Sequence, residues 1–164
     1  LRAQASSRDD EGLALTDVDP TSWRSAISWV PQSPTLVPGT ILDNMGDLPQ
    51  RDLDEAARAT GFDAVLATTP DGWNSTIGSG GVGLSVGQRQ RLALTRALAA
   101  RSQVVVLDEP TAHLDAVSEE TVVRAIHAMR EEGRTVIVIA HRNAIIEVAD
   151  TIIDVAHADE EALA

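Results

Sequence analysis

Apolar runs at four places along the chain predict β-strands, and helical patterns lie between them. The first run, residues 27–30, must end at Pro31, because proline has no amide hydrogen to donate to a sheet. The runs VVVL at 104–107 and TVIVIA at 135–140 are continuous and rich in β-branched residues, which is typical of strands buried on both faces. TIIDV at 151–155 predicts the last strand.

The segments between the strands have the spacing of amphipathic helices. Residues 52–60 begin with an acidic turn and stop at Gly61. Residues 116–133 place Val122, Ile126 and Met129 on one face before the helix stops. Further helices are expected at 40–45, 63–68, 89–100 and 143–148. Strands that alternate with helices in this way predict an α/β fold with a parallel sheet.

Polar residues follow three of the predicted strands. Gln32 comes after the first strand, Asp108 and Glu109 follow the second, and His141 follows the third. Because the carboxyl ends of parallel strands share one edge of a sheet, ligand chemistry is expected at that edge. A further candidate is the segment 78–87, whose five glycines let a backbone approach a ligand closely before the next helix begins.

The composition limits the class of function. With 13 basic and 25 acidic residues the net charge is −12, so the surface as a whole repels nucleic acid and anionic lipid. The absence of cysteine excludes disulfides, thiolate metal ligands and thiol nucleophiles. No apolar run approaches the roughly 18 residues of a membrane span, and no signal peptide is recognisable. Because the sequence starts at Leu1 with a polar, patternless stretch, we expect it to be cut from a longer protein.

Five motifs resemble those of the ATP-binding cassette (ABC) family: WVPQ at 29–32, LSVGQRQR at 84–91, VVVLDEPT at 104–111, HLD at 113–115 and IAHR at 139–142. They occur in the family's order and spacing, and the likeness extends from about residue 18 to residue 155. The resemblance implies an α/β fold of the P-loop NTPase (RecA-like) type, a parallel sheet with a small helical signature subdomain, truncated at the N-terminus. The implied divisions are a poorly ordered remnant at 1–17, a core strand with the glutamine loop at 18–34, the helical subdomain at 35–100, the catalytic core at 101–156 and an acidic tail at 157–164.

The resemblance assigns chemistry to the residues at the sheet edge. Asp108 matches the carboxylate that holds Mg²⁺, and Glu109 matches the general base that activates the water attacking ATP. Gln32 matches the loop glutamine that touches both the Mg²⁺ and that water, so it is a catalytic and a metal-binding candidate. His141 matches the histidine that hydrogen-bonds the γ-phosphate. Taken alone, Asp108 would also suit a strand-capping acid, Gln32 a solvent-facing loop residue and His141 a structural histidine.

The segment LSVGQ at 84–88 resembles the family signature, in which Ser85, Gly87 and Gln88 face ATP held by a second nucleotide-binding domain. The amides at a helix N-terminus favour a phosphate there, and an ordinary serine-capped helix is the alternative. Val86 stands where the family usually has a second glycine beside Gly87, and its branched side chain is expected to narrow the approach of the phosphate. Asp115 matches the aspartate that couples the two ATP sites, and it also suits a helix N-cap.

The family's phosphate-binding loop, GxxxxGK[ST], does not occur in the 164 residues, nor does an upstream aromatic residue that would stack on adenine. We therefore expect the chain alone to have negligible affinity for ATP. In the family, the strand before that loop lies between the strand that ends at His141 and the strand around Ile152. Its absence predicts an unpaired sheet edge and an exposed apolar groove, both of which favour aggregation.

The implied function is that of an ATPase in a membrane exporter, with ATP and Mg²⁺ as its ligands, at the cytoplasmic face of the bacterial inner membrane. The implied partners are a second nucleotide-binding domain, as homodimer or heterodimer, and a transmembrane domain that precedes these residues in the full-length chain; nucleic acid is not a partner.

The run PGTILDN at 38–44 favours an exporter over an importer, and the surrounding segment most resembles bacterial thiol exporters linked to cytochrome bd assembly. One alternative is a soluble chromosome-maintenance or repair ATPase, although the short separation of Gln32 and Ser85 leaves no room for that class's coiled coil. The other is a non-hydrolysing partner domain, against which Glu109 and His141 count.

Overall fold

The computed structural model describes residues 19–78, 83–112, 114 and 116–155. Its elements, in chain order, are α1 (Pro20–Ser25), β1 (Ile27–Val30), β2 (Gly39–Thr40), a 3₁₀ turn (Leu42–Met45), α2 (Gln50–Thr60), α3 (Asp63–Thr68), a second 3₁₀ turn (Gly72–Asn74), β3 (Thr76–Ile77), α4 (Val86–Ala99), β4 (Val104–Asp108), α5 (Ala116–Glu131), β5 (Thr135–Ile139) and α6 (Asn143–Ile146).

The main sheet has three strands in the order β1-β4-β5, and both pairings are parallel. The connection from β4 to β5 runs through α5, as a parallel pairing requires. The α/β class and the parallel sheet expected from the sequence are therefore confirmed.

One face of the sheet lies against the helices. Val30, Val105 and Leu107 are no more than 1% exposed on that face, where α4 contacts β1 and α5 contacts β5. Burying side chains of this size contributes on the order of 1.5–3 kcal/mol each. The buried residues of α4 and α5, including Leu92, Val122 and Met129, continue the same core toward α2.

The opposite face of the sheet corrects an expectation from the sequence. Trp29, Val106 and Ile137 are in register across the three strands and so point to the same side. Trp29 is 62% exposed, Ile137 50% and Ile139 54%. The prediction that 135–140 is buried on both faces is wrong, because the helices that pack on the sheet, among the described residues, lie on the other side.

The segment 151–155 is a second correction. It was expected to be a strand, but it has no strand assignment, and Ile152, Ile153 and Val155 are 64%, 82% and 82% exposed. Within the described part of the chain β5 pairs with β4 alone. A β-branched run forms a strand only when a neighbour satisfies its backbone, and a cavity of about 430 Å³ separates β5 from this segment.

The helices follow the sequence pattern closely, with small differences at their ends. The predicted helix at 40–45 is a 3₁₀ turn preceded by the two-residue strand β2, and the last predicted helix ends at Ile146. Helix α1 had not been predicted, although Asp19 accepts a hydrogen bond from the Ser22 amide at 2.7 Å and Pro20 follows as the first helical residue.

The loop from the end of β1 to α2 is held by hydrogen bonds from a buried side chain. The buried side chain of Asn44 accepts a hydrogen bond from the Val37 amide at 2.9 Å and donates to the carbonyls of Val37 and Thr40. The small antiparallel sheet of β2 and β3 then fixes this loop against the segment before α4. The loop that carries Gln32 is thus held at both ends by ordered structure.

Among the residues that the structure describes, no helix combines the length and the apolar content that a membrane crossing requires.

Candidate functional site

The three sequence-predicted polar positions lie at one edge of the main sheet. Gln32 follows β1, Asp108 is the last residue of β4, and His141 follows β5. The strands are parallel, and Asp108 is in register with Ile139, so their carboxyl ends meet at the same edge. This arrangement agrees with the expected position of a ligand site in an open α/β sheet.

Glu109 lies at the centre of this edge. Its Oε2 accepts a hydrogen bond from Gln32 Nε2 at 2.7 Å, and its Oε1 lies 3.7 Å from His141 Nδ1. The Glu109 side chain is 31% exposed and the His141 side chain 74% exposed, so both remain open to solvent and to an incoming molecule. The side chains that follow β1 and β5 therefore converge on the single carboxylate that follows β4.

The backbone of Glu109 is unusual. Its φ is +43°, in the left-handed region that residues with a side chain rarely adopt. The Glu109 amide donates to the Ile139 carbonyl at 2.9 Å, and its carbonyl accepts from the Ala112 amide at 3.0 Å. These bonds hold Glu109 where β4 ends, and such strained residues cluster at functional sites. No sequence signal predicts this conformation, because glutamate itself disfavours it.

The described residues include no group of three or more histidine, aspartate or glutamate side chains that would hold a metal by themselves. Mg²⁺ is usually bound by one or two carboxylates together with water and substrate phosphates. Asp108, which is partly exposed, and the amide oxygen of Gln32 fit that sparse donor set. The residues present therefore suit an ion that arrives with a nucleotide.

The signature segment forms the start of α4. Ser85 is the N-cap: its hydroxyl accepts from the Gln88 amide at 3.2 Å, while its own amide donates to Gln88 Oε1 at 2.8 Å. This reciprocal pair is a capping box. Ser85 is exposed and Val86 is 53% exposed, so the N-terminus of α4 is open to a ligand.

Gly87 lies on the inner side of the same turn, where a Cβ would meet the Ser118 hydroxyl at 3.5 Å and Leu114 at 3.7 Å. These are ordinary contact distances, so Gly87 is close to α5 without being sterically obligatory. The remaining candidate, Asp115, lies outside the described residues.

Two charged residues near the edge were not singled out from the sequence. Arg142 directly follows His141, and its Nη1 donates to Glu119 Oε2 at 3.0 Å. Their sequence separation gives no periodic signal, because they come together only when β5 returns beside α5. The contact between Arg142 and Glu119 therefore depends on the tertiary fold.

Comparisons with known proteins agree with this geometry. Residues 5–112 match the family model described as ABC transporter. The chain is 38% identical over 152 residues to the ABC-type transporter atr1 of Mycosarcoma maydis, covering 87% of this chain and 11% of that protein. It is 40% identical over 147 residues to the ABC multidrug transporter MDR5 of Trichophyton rubrum, with 86% and 11% covered.

Among solved structures, a bacterial Atm1-family ABC exporter with ATP bound superposes with a TM-score of 0.70 at 32% sequence identity. The superposition covers 79% of this chain and 23% of that exporter chain. The chain thus spans about a tenth of the length of the curated relatives, which are 11% covered. With a family model matched over most of its length, a parallel sheet and three of the motifs at one sheet edge, the chain belongs to the ABC transporter family.

Proposed function

We propose that this chain forms the hydrolytic part of the ATP-binding domain of a membrane exporter. The observation that carries the proposal is the convergence of Gln32 and His141 on the Glu109 carboxylate, at 2.7 and 3.7 Å. A carboxylate held between an amide and an imidazole at a sheet edge suits the orientation and deprotonation of a water molecule. The names of the similar proteins, which are multidrug transporters and an exporter, support the exporter class.

In this proposal every residue at the edge has a stated task, and Gln32 has two. Glu109 accepts the proton of the attacking water, and Gln32 orients the Glu109 carboxylate through the hydrogen bond from Nε2. His141 donates a hydrogen bond to the terminal phosphate, and Asp108 with Gln32 ligates the metal. Mg²⁺, when bound, neutralises charge on the phosphate oxygens.

Ser85, Gly87 and Gln88 serve a second nucleotide-binding domain. Ser85 is exposed at the N-terminus of α4, where the helix dipole favours a phosphate. In this arrangement the Ser85 hydroxyl, which accepts a hydrogen bond from the Gln88 amide, donates its own hydrogen to a phosphate oxygen of the partner's ATP. Asp115 contributes the coupling between the two sites, and the exposed Val86 side chain narrows the entrance.

The whole exporter adds a transmembrane domain, which places these residues at the cytoplasmic face of a membrane. Because the curated relatives are only 11% covered, transport, its substrate and the pairing of domains belong to the proposal for the whole protein. The narrower predictions of a bacterial inner membrane and a thiol exporter remain predictions.

The 164-residue chain alone binds ATP poorly in this proposal, because its sequence holds no GxxxxGK[ST] loop to surround the β- and γ-phosphates. Titration calorimetry with MgATP should give a dissociation constant weaker than about 10 μM. Tighter binding would show that the described edge is sufficient for nucleotide binding and would refute this part of the proposal.

The test of hydrolysis uses the full-length protein. Glu109→Gln preserves size and hydrogen bonding but removes the base, so steady-state ATP turnover should fall about 10²–10⁴-fold while ATP binding persists. Glu131→Gln, at the exposed end of α5, is the matched control and should keep the wild-type rate.

Two outcomes would contradict the assignment. Turnover of Glu109→Gln within a few-fold of wild type would remove Glu109 as the base. An inactive wild-type protein that still binds ATP would favour the alternative of a non-hydrolysing partner domain.

A further inference from the structure

We propose that Arg142 is a positioning residue for His141 and that it acts through its ion pair with Glu119. The proposal rests on the proposed function, because it concerns how His141 reaches the nucleotide. Neither Arg142 nor Glu119 is among the residues that the sequence motifs assign to catalysis, nucleotide binding or metal binding.

His141 needs such support because the sheet no longer holds it. The ladder between β4 and β5 ends at Ile139, and residues 140–142 have no regular secondary structure. The His141 side chain is 74% exposed and lies 3.7 Å from Glu109, longer than a hydrogen bond. Its position therefore depends on the path of the backbone around it.

Arg142 fixes that path through both its side chain and its carbonyl. Its guanidinium donates to Glu119 Oε2 at 3.0 Å, and the two side chains are 36% and 19% exposed, so the pair is partly shielded from water. Its carbonyl accepts hydrogen bonds from the amides of Ile145 and Ile146 at 3.2 and 3.3 Å. Arg142 is also the N-cap residue of α6. The residue next to His141 is thus attached to two helices.

The first turn of α5 is a firm anchor for this pair. Ser118, the neighbour of Glu119, is buried and accepts a hydrogen bond from Arg91 of α4 at 3.2 Å. Thr121 and Val122, in the next turn, are 2% and 1% exposed. Glu119 therefore projects from a turn that is packed against the helix carrying Ser85 at its start.

Adjacent residues of α5 consequently contact the structures that carry both proposed nucleotide-binding surfaces, the signature helix and the sheet edge. Ser118 contacts the signature helix α4, and Glu119 holds the segment that carries His141. A displacement of about 1 Å in a reacting group can lower a rate by about 10²-fold. The Arg142–Glu119 pair has the right placement to prevent such a displacement.

The experiment compares Arg142→Glu, Glu119→Arg and the exchange of both charges in the full-length protein. Each single variant should lower kcat for ATP about tenfold or more, with KM for ATP changed less than about twofold. The double exchange should restore most of kcat. Arg130→Glu, which breaks a more exposed ion pair of α5 with Asp150, is the matched control and should leave kcat unchanged.

Amide hydrogen exchange in the full-length protein provides a second measurement that needs no ATPase activity. Hydrogen exchange at the amides of Ile145 and Ile146 should be about tenfold faster in each single variant. It should return to the wild-type rate when both charges are swapped, and it should stay at that rate in Arg130→Glu. If wild type is inactive, the proposed function fails while this measurement still decides whether the pair holds the segment. The positioning role would be overturned if the single variants left the hydrogen-exchange rates unchanged, or if they raised these rates but kept a normal kcat. It would also be overturned if swapping both charges restored neither the hydrogen-exchange rates nor kcat.

Discussion

At the scale of single residues, the turn after β2 shows how one side chain constrains its neighbours. Asp43 Oδ2 accepts a hydrogen bond from the Thr40 amide at 2.7 Å, and the Thr40 hydroxyl accepts from the Asp43 amide at 3.0 Å. The pKa of Asp43 is lowered below its usual value, most by the hydrogen bond with the Thr40 backbone and next by the hydrogen bond with the Thr40 side chain. The stabilisation is present at neutral pH and is lost as the pH falls through that lowered pKa.

Gly39 begins the same turn with φ of +145°, and a Cβ there would lie 2.8 Å from Asp43 Oδ2. Gly39→Ala should therefore lower the free energy of unfolding by on the order of 1–3 kcal/mol, since it adds backbone strain and displaces the carboxylate. Urea denaturation measures the change. Gly46→Ala is the control, because φ is +71° but nothing lies within 4 Å, so its loss should be smaller. Equal losses would contradict the steric explanation.

At the scale of elements, α2 and α4 are joined by a buried pair of hydroxyls. Thr60 Oγ1 and Thr95 Oγ1 are 2.6 Å apart, and both residues are 0% exposed. Each hydroxyl also lies within hydrogen-bond distance of its own helix, Thr60 to the Ala56 carbonyl at 3.0 Å and Thr95 to the Arg91 carbonyl at 2.7 Å. The pair therefore joins α2 to α4, the helix that begins after Ser85.

Replacing either threonine by valine should destabilise the fold by about 1 kcal/mol, because the remaining hydroxyl loses a partner in a dry site. The double variant should cost less than the sum of the singles by at least about 0.5 kcal/mol. Thermal denaturation of the four proteins measures this coupling. Thr68→Val, an exposed threonine with a similar bond to the Val65 carbonyl, should change stability by less than about 0.5 kcal/mol. Strict additivity at Thr60 and Thr95 would argue against a direct interaction.

Elements with a local cause were predictable from the sequence, and those that depend on a neighbour were not. Helix α2 stops at Gly61 because its left-handed φ of +66° ends the helix, and that signal is in the sequence. The segment 151–155 has the composition of a strand but no ladder partner in the described part of the chain. The positions of Gln32 and His141 followed from strand order, whereas the positive φ of Glu109 and the Arg142–Glu119 pair depend on tertiary contacts.

At the scale of the whole molecule, the helices among the described residues cover one face of the main sheet and leave the other open. Trp29, Ile137 and Ile139 form an apolar surface on the open face, and β5 has a free edge among the described residues. Exposed strand edges and apolar patches favour association. The 164-residue chain should therefore self-associate as its concentration rises.

Placing lysine at Ile137 and Ile139 together should reduce this association, as measured by light scattering, and lower the melting temperature little, because both side chains are about half exposed. Leu107→Ala, on the covered face at 0% exposure, should instead cost about 2–5 kcal/mol of stability. A wild-type chain that stays monomeric and melts reversibly at all concentrations would show that the open face does not drive association.

We propose that Glu109 and His141 act as one catalytic unit at this sheet edge, and a double-mutant cycle on ATP turnover by the full-length protein measures whether they do. Residues that act as a unit have strongly non-additive effects on kcat. Glu109→Gln combined with His141→Ala should be no slower than the slower single variant by more than about threefold. A double variant whose loss is the product of the two single losses would contradict the claim, because the residues would then act independently.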